Sequence, residues 1–363
     1  MARLHDLYAE QGQSPWLDNL RRGWISSGEL QAWVDRGVRG LTSNPTIFAK
    51  AMTETADYDD DLTRLVGEGA SVNDAYWDLV VADITAALGI LRSVHDSSNG
   101  EDGYVSVEVA PSLAHDTDGT IAAARELDNR IDAPNLYIKV PATAEGVPAI
   151  QTLIGEGRSV NVTLIFSLER YQAVMEAYLA GLERYDGDLS SVSSVASFFV
   201  SRVDVEVDRR LDAIGTSEAQ ALKGKAAVAQ AQLAYQLFRQ TFSGPRWKAL
   251  AARGARLQRP LWASTSTKNP DYPDTLYVDT LIGPDTVNTL PDATLVAFED
   301  HGTVARTVDA DVAGAEAVMS QLAAVGVDID AVTAQLETEG VGSFVKSFDE
   351  VLGVLGDRTE NIG

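Results

Sequence analysis

"NLYIKVPATAEGV", residues Asn135 to Val147, decides how the chain is read. Leu136, Tyr137, Ile138 and Val140 make a short apolar run of the kind that forms a buried strand, and Pro141, Ala142 and Thr143 break it. Lys139 sits inside that run, where a charge taken out of water is expensive. Successive strand side chains point to opposite faces, so Leu136, Ile138 and Val140 share one side and Tyr137 and Lys139 the other.

The segments around it repeat the pattern. In "VSVEV", Val105, Val107 and Val109 oppose Ser106 and Glu108; in "VNVTL", Val160, Val162 and Leu164 oppose Asn161 and Thr163. In "VASFFV", Ala196, Phe198 and Val200 oppose Ser197 and Phe199. Between these runs the spacing changes to that of amphipathic helices. Ile121, Ala124, Leu127 and Ile131 align on one face, as do Leu168, Tyr171, Met175, Tyr178 and Leu182. Alternating β and α units predict parallel strands joined by helical crossovers.

Adding "SPWLDNL", "GVRGLTSNP", "RPLWAST" and "TLYVDT" brings the strand count to roughly eight, the number that closes a barrel. We therefore expect an α/β fold, a single (β/α)8 barrel with additional helices over residues 1–363, with an open doubly wound sheet as its competitor. No low-complexity linker divides the chain, and the last fifty or so residues read as packing helices. Parallel sheets are normally covered on both faces. The aliphatic faces then meet the outer helices, and Glu108, Lys139, Asn161, Thr163 and Ser197 enter one lumen.

Composition narrows the function. The formal net charge is -24, which argues against binding nucleic acid or an anionic membrane, so neither is expected as a partner. An anionic substrate would need a local basic pocket against that field. With no cysteine, disulfides, thiolate catalysis and iron–sulfur sites are excluded. His5, His95, His115 and His301 show no ligand spacing, so no metal is expected, and no phosphate-binding P-loop or dinucleotide fingerprint appears. The stretch from Leu79 to Leu91 is too short to span a bilayer, and "MARLHDLYAEQGQ" has no apolar signal core. A cytoplasmic enzyme without a cofactor is the expectation.

A free lysine is neutral in only about one molecule in a few thousand at pH 7. An interior site disfavours the ammonium, and the neutral amine attacks carbonyls to form Schiff bases. Glu108 on the neighbouring strand is placed to carry protons, with Thr163 holding a water. The alternative for Lys139 is a purely structural ion pair with Glu108.

At this point the chain resembles the transaldolases. "LTSNPTIF" (Leu41 to Phe48), "VSVEV", "LYIKVPAT", "NVTLIFS" and "ASFFVSRVD" occur in order, and the longer, actinobacterial type is most similar. The resemblance implies transfer of a dihydroxyacetone unit between sugar phosphates: sedoheptulose 7-phosphate and glyceraldehyde 3-phosphate give erythrose 4-phosphate and fructose 6-phosphate, a reaction of the pentose phosphate pathway. It makes Lys139 the Schiff-base lysine, Asp18 the general acid/base for carbon–carbon cleavage, and Glu108 and Thr163 the water-relay pair. Asn44, Asn161 and Ser197 match groups that hold donor hydroxyls, Arg202 matches a phosphate anchor, and Ser264 and Lys268 are candidates for a second. Phe199 stands where the related aldolase branch tends to carry Tyr. Plainer roles stand beside these: a helix cap or turn for Asp18, a turn for Asn44 before Pro45, and solvated surface charges for Arg202 and Lys268. The competing functions are a Schiff-base aldolase that releases free dihydroxyacetone and a non-catalytic sugar-phosphate-binding barrel. Either a monomer or a homodimer is compatible.

Overall fold

The computed structural model describes residues 3–360. Eight parallel strands close into a barrel in chain order: β1 Gln13–Leu17, β2 Leu41–Thr42, β3 Val105–Glu108, β4 Leu136–Pro141, β5 Val160–Ile165, β6 Ser194–Phe199, β7 Gln258–Ala263 and β8 Thr286–Leu290. Helices cover the outside. Val107, Ile138, Val140, Val162, Ala196 and Phe198 are all buried in the layer between strands and helices. Each fully buried Val, Ile or Phe contributes about 1.5–3 kcal/mol of hydrophobic stabilisation.

The expected faces are found, with one correction among the strands. "TLYVDT" does not supply the eighth: Leu276–Asp279 is a short helix, and "TVNTL" at Thr286–Leu290 pairs with both β7 and β1. The β-branched and aromatic residues of the first segment favour a strand locally, but tertiary context overrides such preferences. Tyr277 and Val278 are buried from a helical turn instead. The true strand carries Asn288 at its centre, which breaks its apolar run; Asn288 Nδ2 donates to the Tyr277 carbonyl at 3.2 Å.

Register brings the polar residues together. Glu108 pairs with Lys139, and Lys139 with Asn161, so three adjacent strands present them side by side. The opening stretch ends as its residues dictate. Pro141 closes β4, and Thr143 Oγ1 accepts from the Gly146 amide at 2.9 Å to start the helix Gly146–Gly155. A β-carbon at Gly146 would collide with the Pro141 carbonyl oxygen. In β5 the pairing with β6 shifts between Val162 and Ile165, and Leu164 takes a left-handed φ of 58°. This bulge turns Leu164 towards the long C-terminal helix Ile329–Glu360, where it lies against Gly340. That helix also packs on the helices Pro45–Glu54 and Val72–Ser97.

Candidate active site

The C-terminal ends of the strands surround a cavity of about 340 Å³. Lys139 reaches it from β4 and is 4% exposed. Its Nζ lies 3.1 Å from Glu108 Oε2 and donates to the Ser43 carbonyl at 3.1 Å. The Phe344 ring, from the C-terminal helix, stands 5.8 Å from the same nitrogen. The lysine–glutamate contact is close but not aligned as a hydrogen bond, so Glu108 Oε2 has no hydrogen-bond partner among the described residues. Burial pushes the Glu108 carboxyl above its ordinary range; Lys139 opposes that shift and the charge of Asp18 adds to it.

Asp18 lies one residue past β1, held by its own amide on the Leu290 carbonyl at 2.8 Å. Its Oδ1 accepts from Thr42 Oγ1 at 2.8 Å, and Thr42 is in turn 2.7 Å from Thr289 Oγ1. Burial raises the Asp18 carboxyl, against the opposing pull of Lys139, the Thr42 hydrogen bond, Lys268 and Arg202. Thr163 points into the cavity from β5, and its buried hydroxyl has no hydrogen-bond partner among the described residues. Asn161 is completely buried behind the lining: Ser197 Oγ donates to its Oδ1 at 2.7 Å, and its Nδ2 donates to Ser106 Oγ at 3.0 Å. Ser197 and Phe199, two residues apart on β6, both line the cavity.

Asn44 combines the two roles set out for it. Its Oδ1 caps the helix Pro45–Glu54 by accepting from Ile47 N at 2.9 Å, and the residue also faces the cavity. Arg202 opens the helix Ser201–Ile214 and is half-buried in the cavity wall, its guanidinium 5.5 Å from the Phe199 ring centroid. Ser264 and Lys268 follow β7 and line the same wall; Lys268 Nζ donates to Ser266 Oγ at 2.6 Å. Among the described residues no carboxylate lies within ion-pairing distance of Arg202 or Lys268. Burial lowers the affinity of both for their protons, and at Lys268 the positive charge of Arg202 lowers it further. Two cations without an ion-pairing carboxylate, at the mouth of a protein with a net charge of -24, make the local basic pocket that an anionic substrate needs.

All eleven residues singled out from the sequence therefore meet at one end of the barrel. Several others there were not foreseen. Thr42 lies inside the quoted "LTSNPTIF" stretch and could have been found there. Lys50 lines the cavity one turn beyond Thr46. Ser343 and Phe344 come from what read only as a packing helix, and no local signal in the sequence marks them. Among the described residues no cluster of three or more potential metal ligands occurs, and no single helix is long and apolar enough to cross a membrane.

Comparison with known proteins bears on this geometry. The model of the transaldolase/fructose-6-phosphate aldolase family matches residues 15–355. The chain belongs to that family. It is 53% identical to the transaldolase of Thermobifida fusca over 349 residues, 95% of each chain. It is 51% identical to that of Frankia alni over 357 residues, covering 97% of this chain and 96% of the other. The transaldolase of Mycolicibacterium paratuberculosis is 51% identical over 347 residues, 94% and 93% of the two chains.

Proposed function

We propose that the chain acts as a transaldolase, moving a dihydroxyacetone unit between sugar phosphates, with Lys139 as the covalent residue. The observation that carries this reading is the buried Lys139–Glu108 contact, opening into a cavity where, among the described residues, Arg202 and Lys268 have no carboxylate within ion-pairing distance. Glu108 is the acceptor for the lysine proton, because its Oε2 lies 3.1 Å from Nζ and burial raises its carboxyl above the ordinary range. That transfer leaves a neutral amine beside a neutral acid.

The amine attacks C2 of the ketose phosphate. Glu108 returns its proton to the departing hydroxyl, and water leaves to give the iminium. The unpartnered hydroxyl of Thr163 supports a place for that water. Asp18 takes the C4 hydroxyl proton as the C3–C4 bond breaks, and the electron pair moves into the enamine on Lys139. Burial raises its carboxyl above the ordinary range, which favours uptake of that proton. The first aldose phosphate leaves, a second aldehyde enters, and the steps reverse.

Asn44 and Ser197 hold the hydroxyls of the bound fragment, and Asn161, matched to that role but buried behind the lining, orients Ser197 through their 2.7 Å hydrogen bond. Arg202 anchors the phosphate, with Lys268 and Ser264 completing the cradle, while Phe199 keeps water from the enamine. No metal or cofactor enters this scheme. The chain works in the cytoplasm, as a monomer or homodimer, with residues 1–363 acting as one unit. Free release of dihydroxyacetone is less well supported, because Phe199 offers no hydroxyl to align a proton donor.

The test is borohydride reduction with fructose 6-phosphate, followed by peptide mass spectrometry. A dihydroxyacetone-derived adduct is expected on Lys139. An adduct on another lysine, or none, overturns the assignment. Lys139→Arg should fold and show no turnover, since a guanidinium stays protonated.

A further inference from the structure

Arg202 and Lys268 sit on different elements, and each depends on something else to stay where it is. Arg202 is in the first turn of the helix Ser201–Ile214. Lys268 lies in the irregular loop 264–275, a length of chain that is mobile unless it is tied down. Like charges repel, and among the described residues no carboxylate lies within ion-pairing distance to offset the pair. Yet one face of that helix binds the loop, and the short helix Leu276–Asp279 that ends it, at three successive levels.

At the first level, the Ser201 amide donates to the Ser264 carbonyl at 3.0 Å, and the two hydroxyls are 2.9 Å apart. At the second, Tyr277 donates its hydroxyl to Asp204 Oδ2 at 2.8 Å. At the third, Tyr272 donates to Asp208 Oδ2 at 2.5 Å. Ser201, Asp204 and Asp208 are spaced i, i+3 and i+7, so they form a single stripe. The other oxygen of each carboxylate is also occupied: Ala227 N donates to Asp204 at 2.8 Å, and Gly224 N to Asp208 at 2.9 Å. Both carboxylates are thus fixed from behind and face the loop with their remaining oxygen. Neither acts on the cavity directly, since neither lines it.

We propose that Ser201, Asp204 and Asp208, with Tyr277 and Tyr272, are positioning residues that hold Arg202 and Lys268 as a preformed two-cation clamp for the substrate phosphate. The ladder does ahead of binding what the phosphate would otherwise have to do, namely bring two repelling cations together. Preorganisation of this kind shows in binding of the charged group and leaves the chemistry at Lys139 untouched. This inference rests on the assignment of Arg202 as the phosphate anchor.

Tyr272→Phe is the experiment, because it removes one oxygen from a half-buried ring and leaves the packing in place. KM for fructose 6-phosphate and for erythrose 4-phosphate should rise about 3- to 10-fold, the usual range for one lost hydrogen bond. The kcat should hold, and kcat/KM for unphosphorylated fructose should not change. Equal losses on phosphorylated and unphosphorylated substrates, or no change on either, overturn the ladder. Arg202→Ala, measured in parallel, separates the two failures. If it distinguishes the substrates and Tyr272→Phe does not, the ladder alone is wrong. If Arg202→Ala itself fails to distinguish them, the phosphate assignment falls and the ladder with it.

Discussion

The two ends of the barrel treat charge in opposite ways. At the N-terminal end, Asp102 is completely buried and each of its oxygens takes two donors. Oδ1 accepts from Trp16 Nε1 at 3.1 Å and Arg259 Nη2 at 2.9 Å; Oδ2 accepts from Ser14 Oγ and Arg39 Nε, both at 2.7 Å. Burial alone would raise this carboxyl, but Arg259 and Arg39 outweigh it and hold it below the ordinary range. Tyr137 closes the layer above, stacked on Tyr104 with ring centroids 4.1 Å apart and on Trp16 at 6.0 Å. Two residues further along β4, about 6.6 Å up the strand, stands Lys139. There the carboxyls of Glu108 and Asp18 are raised rather than lowered, and among the described residues no carboxylate ion-pairs with Arg202 or Lys268, which feel Asp18 only from beyond contact distance. One strand thus passes from a layer where charge is neutralised by the protein to one where it is left for a substrate. Saturated networks stabilise a fold; unsaturated ones of this kind mark a functional site.

The largest effect that would test this contrast is at the mouth. Glu108→Gln keeps the shape of the side chain and removes its proton. Schiff-base formation should slow by about 10²–10⁴-fold, read as the rate of borohydride-trappable adduct in single turnover. Stability should not fall, because a raised carboxyl costs the folded state more as it ionises. Its favourable contribution is present below the ordinary carboxylate value and lost as pH rises through the folded one. A Glu108→Gln protein that unfolds readily, with its trapping rate intact, would make the mouth a second structural network.

At the closed end the expectation is reversed. Asp102→Ala leaves Arg259 buried without its partner and should cost about 3–5 kcal/mol of stability, measured by denaturant unfolding. The kcat of protein still folded should be unchanged. The pH dependence carries the opposite sign from that of Glu108. Asp102 is held low, so its contribution is present above about pH 4, the ordinary carboxylate value, and is lost as pH falls through the folded one. Asp102→Asn should therefore flatten the acid limb of Tm against pH. Retained acid sensitivity in that variant would remove Asp102 as its source.

The same contrast explains what could be read from the sequence. Period-two alternation is a local property, and it placed Glu108, Lys139, Asn161, Thr163 and Ser197 on the lumen side of strands that the structure contains. It failed at β8, where Asn288 interrupts the pattern while Leu276, Tyr277 and Val278 imitate it from a helical turn. It could not foresee Phe344 over Lys139, because that contact depends on how a helix near the chain's end crosses the mouth. The Asp102 network was equally hidden. Its members come from β1, β7 and the turns leading into β2 and β3; several fall inside the quoted strand segments, but nothing local marks them as partners of Asp102.

The smallest expected effect lies at Phe199, which tests whether the open end controls the outcome of the reaction as well as its rate. After the first aldose leaves, the enamine on Lys139 has two fates. Protonation at carbon followed by hydrolysis releases dihydroxyacetone; attack on an incoming aldehyde completes transfer. Release needs a proton donor or an oriented water beside the fragment. Phe199 lines the cavity at 6% exposure, packed 5.0 Å from Phe166, and brings no polar atom. Fructose 6-phosphate alone should then yield little dihydroxyacetone, while added erythrose 4-phosphate restores turnover to sedoheptulose 7-phosphate. Phe199→Tyr adds one hydroxyl without a large change of volume and should shift the product ratio towards free dihydroxyacetone, leaving stability nearly unchanged. Both products can be quantified with and without the acceptor aldehyde. If the wild-type protein releases triose as fast as it transfers it, the excluded-water account of Phe199 is wrong and the chain behaves as an aldolase. If Phe199→Tyr leaves the ratio where it was, the choice between release and transfer is made by another group at the mouth.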